Sequence, residues 1–205
     1  AIQHRNEAEK ERQISYEQIE AFSAILNNEL EKGRHIQRNF FPESSPQIPG
    51  WEISTYFKEA RQLSGDFYDV FELPSGCLGF VVADVCDKGV GAALFMALFR
   101  SLIRVFSVYA DSEHLADRAT PGTCGRIVHV SEDSLSCPLP PNALKAVELT
   151  NDYVAINHGE LVMFATLFFG CLDPETGTLS YINAGHEHLI VTNTSGAVKS
   201  LLRPT

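Results

Sequence analysis

The chain has 205 residues, 44% of them hydrophobic and 10% aromatic, enough for one globular unit of ordinary core size plus an appendage. Its formal charge is -10, and residues 1–41 hold seven Glu against six Lys or Arg, which leaves 19 acids and 10 bases in the body. An acidic body with no run of Lys or Arg argues against nucleic acid as a partner, because such affinity rests on clustered cations. Cys77, Cys86, Cys124, Cys137 and Cys171 include no C-x-x-C pair, so neither a disulfide framework nor a structural zinc site is indicated, and a reducing cytoplasmic setting is expected. No apolar run of bilayer length and no basic-then-apolar leader is read, so no membrane insertion is expected. Ala1 opens inside a charged, helix-favouring stretch with no capping residue ahead of it, which reads as a cut in a longer protein.

From Ile2 to Phe41 there is no Pro and one Gly, with apolar residues at Ile19, Phe22, Leu26, Leu30 and Ile36, the pattern of one amphipathic helix. It packs on its own domain, or it forms a two-stranded coiled coil that makes a homodimer and links to an upstream sensor; the two readings are compatible. Pro42, Pro46 and Pro49-Gly50 end the helix and mark the boundary of a body over 42–205. Trp51 to Phe57 alternates as a half-buried strand does, and Phe67 to Leu73 and Leu78 to Val85 form a hairpin about Pro74-Ser75-Gly76. Gly89 to Ala110 reads as a long helix buried on most sides, with Arg100 and Arg104 marking its wet stripe. Asp111 to Pro141 lacks periodicity and reads as a long loop or insertion. Asn142 to His158 is a second helix, Met163 to Leu172 and Leu179 to Ala184 a second hairpin, and His188 to Asn193 begins a further strand. Hairpins with intervening helices imply an α+β layered fold and not a doubly wound parallel sheet.

The first hairpin carries the chemistry. If it folds about Ser75, residues whose numbers sum to 150 face each other, and Asp66 falls opposite Asp84. Directly opposed residues of an antiparallel pair have Cα atoms roughly 4.5–5.5 Å apart and side chains on one face. Two carboxylates placed so repel each other unless a cation lies between them. With backbone carbonyls and water they form a hard oxygen site, suited to Mg²⁺ or Mn²⁺ and not to zinc. Spacing alone leaves a second reading open, in which one Asp caps a turn and the other is solvated.

Four stretches occur in series: Gly65-Asp66-Phe67-Tyr68-Asp69, Ala83-Asp84-Val85-Cys86-Asp87-Lys88-Gly89-Val90-Gly91, Phe164-Ala165-Thr166-Leu167 through Asp173-Pro174, and Asn183-Ala184-Gly185-His186. In order and spacing they resemble the SpoIIE-type branch of the PPM phosphatases, and Ile36 to Pro42 looks like that family's entry into its domain. The resemblance implies a sandwich of two mainly antiparallel sheets flanked by helices, and a binuclear Mn²⁺ or Mg²⁺ centre. That centre would hydrolyse phosphoserine or phosphothreonine by attack of metal-activated water. It implies Asp84 as the carboxylate bridging the metals, Val85 as the donor of a main-chain carbonyl, and Asp66 as the ligand of the second metal. Lys88 stands where relatives carry Lys or His, placed to orient a phosphate or assist the leaving oxygen, or it is a surface lysine. Arg61 could grip a substrate phosphate through its planar fork, or form a surface ion pair.

Other members of these motifs are read as structural. Asp69 recurs in the family motif but alternates in facing with Asp66, and His186 and His188 follow a strand in a segment the family uses as a turn. Cys86 and Asp87 replace the Ser-Gly often found there. The family places a further Asp in a T-D-G-like segment and another near a final D-D, and neither occurs before Thr205, so the 205-residue chain is expected to be weakly active or inactive by itself. By the same analogy the substrate is a phosphorylated protein of the STAS, anti-anti-sigma-factor type, in a stress or transcription response. Two other classes compete: a non-catalytic dimeric binding module on the same fold, and a receiver-like domain that accepts a phosphoryl group at Asp84. The hairpins disfavour the receiver.

Overall fold

The computed structural model describes residues 2–59, 63–116, 126–129 and 142–204. Its elements are α1 (Ile2–Arg38), β1 (Phe67–Glu72), β2 (Leu78–Val85), α2 (Val90–Ala116), β3 (Arg126–His129), α3 (Lys145–His158), β4 (Ala165–Asp173), β5 (Thr178–Ala184), β6 (Leu189–Thr192) and β7 (Val198–Leu202). A five-stranded antiparallel sheet runs in the order β1-β2-β4-β5-β3, and β6 and β7 form a second, two-stranded one. The chain is thus an α+β protein of two antiparallel sheets with flanking helices and a long helix ahead of them, as the hairpin pattern implied.

Strand alternation sorts the five-stranded sheet into two faces. One carries Phe67, Phe71, Val81, Ala83, Phe169 and Cys171, which pack under Ala92, Met96, Phe99 and Ile103 of α2 and Ala146 and Val154 of α3. The other carries Val70, Leu78, Phe168 and Tyr181, and meets Leu189, Val191 and Leu202 of the second sheet together with Ile48, Trp51 and Ile53. Each large side chain so buried contributes about 1.5–3 kcal/mol. The stretch Val90–Ser112 of α2 is long and apolar enough to cross a membrane, which corrects the expectation that no run reaches that length. One face of it packs on α3 and the sheet, while Val90, Leu94, Val105 and Tyr109 are exposed, so the helix is not buried on most sides as expected.

The sequence expectation for Trp51 to Phe57 also needs correction. Trp51, Ile53 and Phe57 are partly buried and Glu52 and Ser54 exposed, as in a strand, yet the segment joins no ladder among the described residues. Alternation reports which side faces a core; a strand also needs a paired neighbour. Side chains hold this segment instead, with Trp51 Nε1 donating to the Pro174 carbonyl at 3.0 Å and the Phe57 ring tilted against Phe41 at a centroid distance of 4.4 Å. In the segment read as a loop, α2 continues through Ala116 and β3 pairs with β5 at the sheet edge.

Arg100 and Arg104 do not form a wet stripe. Asp69, on the helix-facing side of β1, is fully buried and bonds Arg100 Nη2 at 3.1 Å, with Arg104 Nη1 at 3.7 Å and its guanidinium over the Phe71 ring. Burial raises the Asp69 carboxyl above its usual value despite both arginines, and burial likewise lowers Arg100. Desolvation therefore outweighs attraction, and this pair fixes how β1 sits on α2 more than it adds stability. Breaking it strands a buried charge. Asp69→Asn should lower unfolding free energy by about 3–5 kcal/mol, seen as an earlier urea midpoint; an unchanged midpoint would contradict a buried pair.

For most of its length α1 stands clear of the body. Ile19, Phe22, Leu26 and Ile36 are each roughly half or more exposed. Among the described residues its C-terminal end is the part that is docked, by Arg34 and Arg38 on Glu59, by Gly33 against Leu63, and by Gln37.

Candidate active site

The register of the β1–β2 hairpin is the one the symmetry about Ser75 requires, with Phe67 paired to Ala83 and Glu72 to Leu78. One step beyond Phe67 and Ala83, Asp66 meets Asp84 and their carboxyls are in contact. Burial first, and then the hydrogen bond and charge of Asp84, raise the Asp66 carboxyl above its ordinary value. The two carboxyls thus come together as the symmetry of the hairpin requires, and both remain exposed to solvent.

Backbone packing brings Val85 to the same place. Val85 N donates to the Gly65 carbonyl at 3.4 Å, and a Cβ at Gly65 would lie 2.5 Å from the Val85 oxygen. Only glycine lets the two chains approach so closely. A cavity of about 390 Å³ is lined by Leu63, Ser64, Asp66, Asp84, Val85, Cys86, Asp87 and Lys88, so three of the sequence-designated ligand positions and Lys88 border one space. Asp87 takes a left-handed φ of 73° where the family often has Gly, a conformation Asp tolerates better than most residues, and its side chain accepts from Lys88 N at 2.8 Å. The loop is clamped to β4 because Cys86 N donates to the Phe164 carbonyl and Phe164 N to Cys86 Sγ. Arg61 lies outside the described residues.

Sequence reading missed two contacts. Gln37 at the end of α1 pairs with both backbone groups of Ser64, donating from Nε2 to its carbonyl at 2.7 Å and accepting from its N–H at 3.1 Å. Ser64 Oγ in turn accepts from Asp66 N at 3.0 Å, so the long helix is tied within two residues of the carboxylate. A lone Gln in a polar helix gives no sequence signal. The second contact is His186: its Nδ1 lies 2.9 Å from Thr166 Oγ1, and Thr166 is the residue that β4 sets opposite Asp84. His188 is exposed and enters no such contact.

Among the described residues no three His, Cys, Asp or Glu side chains gather into a cage. Two opposed carboxylates, one raised by the other, with a carbonyl alongside, fit a hard divalent ion. Zinc's nitrogen and sulfur preference is not met.

This arrangement is that of a PPM-type phosphatase domain. The family model described as Stage II sporulation protein E (SpoIIE) matches residues 74–205, well over half of the chain, and the chain belongs to that family. It is similar to Protein IcfG of Synechocystis sp., with 50% identity over 182 residues covering 86% of this chain and 27% of that protein. Phosphoserine phosphatase RsbU of Bacillus subtilis is 24% identical over 85% of this chain and 43% of its own length. Phosphoserine phosphatase RsbP of the same organism is 31% identical over 36% of this chain and 18% of its own. The chain thus spans about a quarter of IcfG and under half of RsbU.

The raised Asp66 carboxyl means that its ionised form costs stability at pH values above its folded value and that this cost vanishes below the unfolded one. In chelator at pH 7, Asp66→Asn should therefore melt above the parent, and the difference should close as pH falls below about 4. Mn²⁺ should raise the parent's melting temperature and leave the variant's nearly unchanged. A variant that melts below the parent in chelator would sink the repulsion argument.

Proposed function

We propose that this domain hydrolyses phosphoserine or phosphothreonine on a signalling protein, with Mn²⁺ or Mg²⁺ held by Asp66, Asp84 and the Val85 carbonyl. The contact of Asp66 with Asp84 carries the reading, since two carboxylates driven together by strand register need a cation. Such an ion supplies a water acidic enough to attack phosphorus near neutral pH. The chain's own residues do the rest. Asp84 and Asp66 fix the position of positive charge at the end of the hairpin. Gly65 keeps the Val85 carbonyl within reach, and Lys88, exposed on the rim of the same cavity, orients an anionic phosphoryl oxygen. Arg61 is the second candidate for a phosphate oxygen.

Support for a serine-phosphate substrate comes from the names of RsbU and RsbP. On that analogy the substrate is a phosphorylated STAS-type protein. The exposed stripe Ile19, Phe22 and Leu26 supports α1 as a dimerising helix that couples the domain to a sensor. A dimeric binding module without catalysis uses the same stripe, and turnover separates the two readings.

Phosphoprotein and aryl phosphate hydrolysis should be measured with and without Mn²⁺, in this chain and in a longer protein containing it. Asp84→Asn should lower Mn²⁺-dependent kcat at least about 100-fold, as expected for loss of a group that stabilises developing charge. Full activity in that variant, or no turnover in any form, would move the assignment to the binding module.

A further inference from the structure

We infer that His186, held by Thr166, is a phosphate-binding residue of this site and donates a hydrogen bond from Nε2 to a phosphoryl oxygen; this rests on the phosphatase reading. Strand register lines up Asp66, Asp84 and Thr166 across β1, β2 and β4 on the face turned toward the second sheet. Thr166 then hands the row on to His186 through a 2.9 Å contact. The turn after β5 is built to present the ring. His186 N donates to Asn183 Oδ1 at 2.8 Å, buried Asn183 reaches on to the Glu187 carbonyl, and Gly185 takes a φ of 72° that a residue with a Cβ adopts only with strain.

One ring nitrogen is therefore committed, while Nε2 has no hydrogen-bond partner among the described residues. When the Thr166 hydroxyl donates to Nδ1, the ring's proton lies on Nε2, which is then a donor. His186 borders a cavity of about 670 Å³ that Asp66 also lines, so one space is shared by the Asp66 side of the proposed cation site and by His186. The imidazole does not complete a metal cage with Asp66 and Asp84. A donor beside a cation site, outside ligand range, suits the anion that the cation binds: a phosphate monoester dianion or free orthophosphate.

A crossed pair of substitutions tests this, because an Asn amide stands in for Nδ1 and a Gln amide for Nε2. Orthophosphate affinity is measured by calorimetry in saturating Mn²⁺, alongside Mn²⁺ affinity and the KM and kcat for an aryl phosphate. His186→Asn should keep the fold and Mn²⁺ affinity, bind phosphate roughly 10-fold or more weakly, and raise KM, as loss of a hydrogen bond to a charged group predicts. His186→Gln should stay within about 3-fold of the parent for phosphate, and Thr166→Val should fall between. A purely structural His reverses the order, with Asn harmless and Gln unstable. That order, parent-like phosphate affinity in His186→Asn, a parallel loss of Mn²⁺ affinity, or a parent that binds no phosphate would each overturn the assignment. Phosphate binding without ester turnover would leave His186 in place and remove the hydrolase reading; turnover with His186→Asn unaffected would do the opposite.

Discussion

The site depends on the register of one hairpin. Pairing Phe67 with Ala83 commits every residue along β1 and β2 to a face, and a slip of one position would send Asp66 and Asp84 to the helix side. The burial of Phe67, Phe71, Val81 and Ala83 under α2 holds that register, since the slip would expose all four. Hydrophobic pattern thus brings two carboxylates into contact at the solvent-exposed end of the sheet, where a cation would relieve their repulsion further than water does.

The motif Gly65-Asp66-Phe67-Tyr68-Asp69 divides its two acids between the faces. Asp66 opens toward the cavities, whereas Asp69 turns inward to Arg100 and Arg104 on α2. One acid faces open space beside Asp84, and the other is paired with α2. Behind them, Gln37 secures the Ser64 backbone and so joins α1 to the same segment. The end of α1 is thus held by two side-chain-to-backbone hydrogen bonds at Ser64, two residues before Asp66.

Local patterns were legible wherever the signal was periodic. The first hairpin, its turn and its register follow from symmetric apolar residues around Pro74-Ser75-Gly76, and the helices at α1, α2 and α3 from composition and spacing. Trp51 to Phe57 was misread because alternation records burial and is silent about partners. Arg100 and Arg104 were misread because charges four apart on an apolar helix mark a wet face unless a buried acid waits opposite, and that acid lies some thirty residues earlier in the chain. His186 looked like a turn residue since its partner, Thr166, is brought alongside only by β4 and β5 pairing.

By itself the sequence determined the hairpin that opposes Asp66 to Asp84 and, through motifs in series from Gly65 to His186, the family to which the chain belongs. The hairpin rests on residues close in the chain, where geometry is set by turn and alternation, and the family on motifs that keep their order along it. Tertiary structure alone decided that Asp69 is paired in the core, that Gln37 grips Ser64, and that Thr166 carries His186 to the end of the carboxylate row. Each of those joins distant segments, and no local preference encodes which buried donor will meet which acceptor once the sheets and helices close.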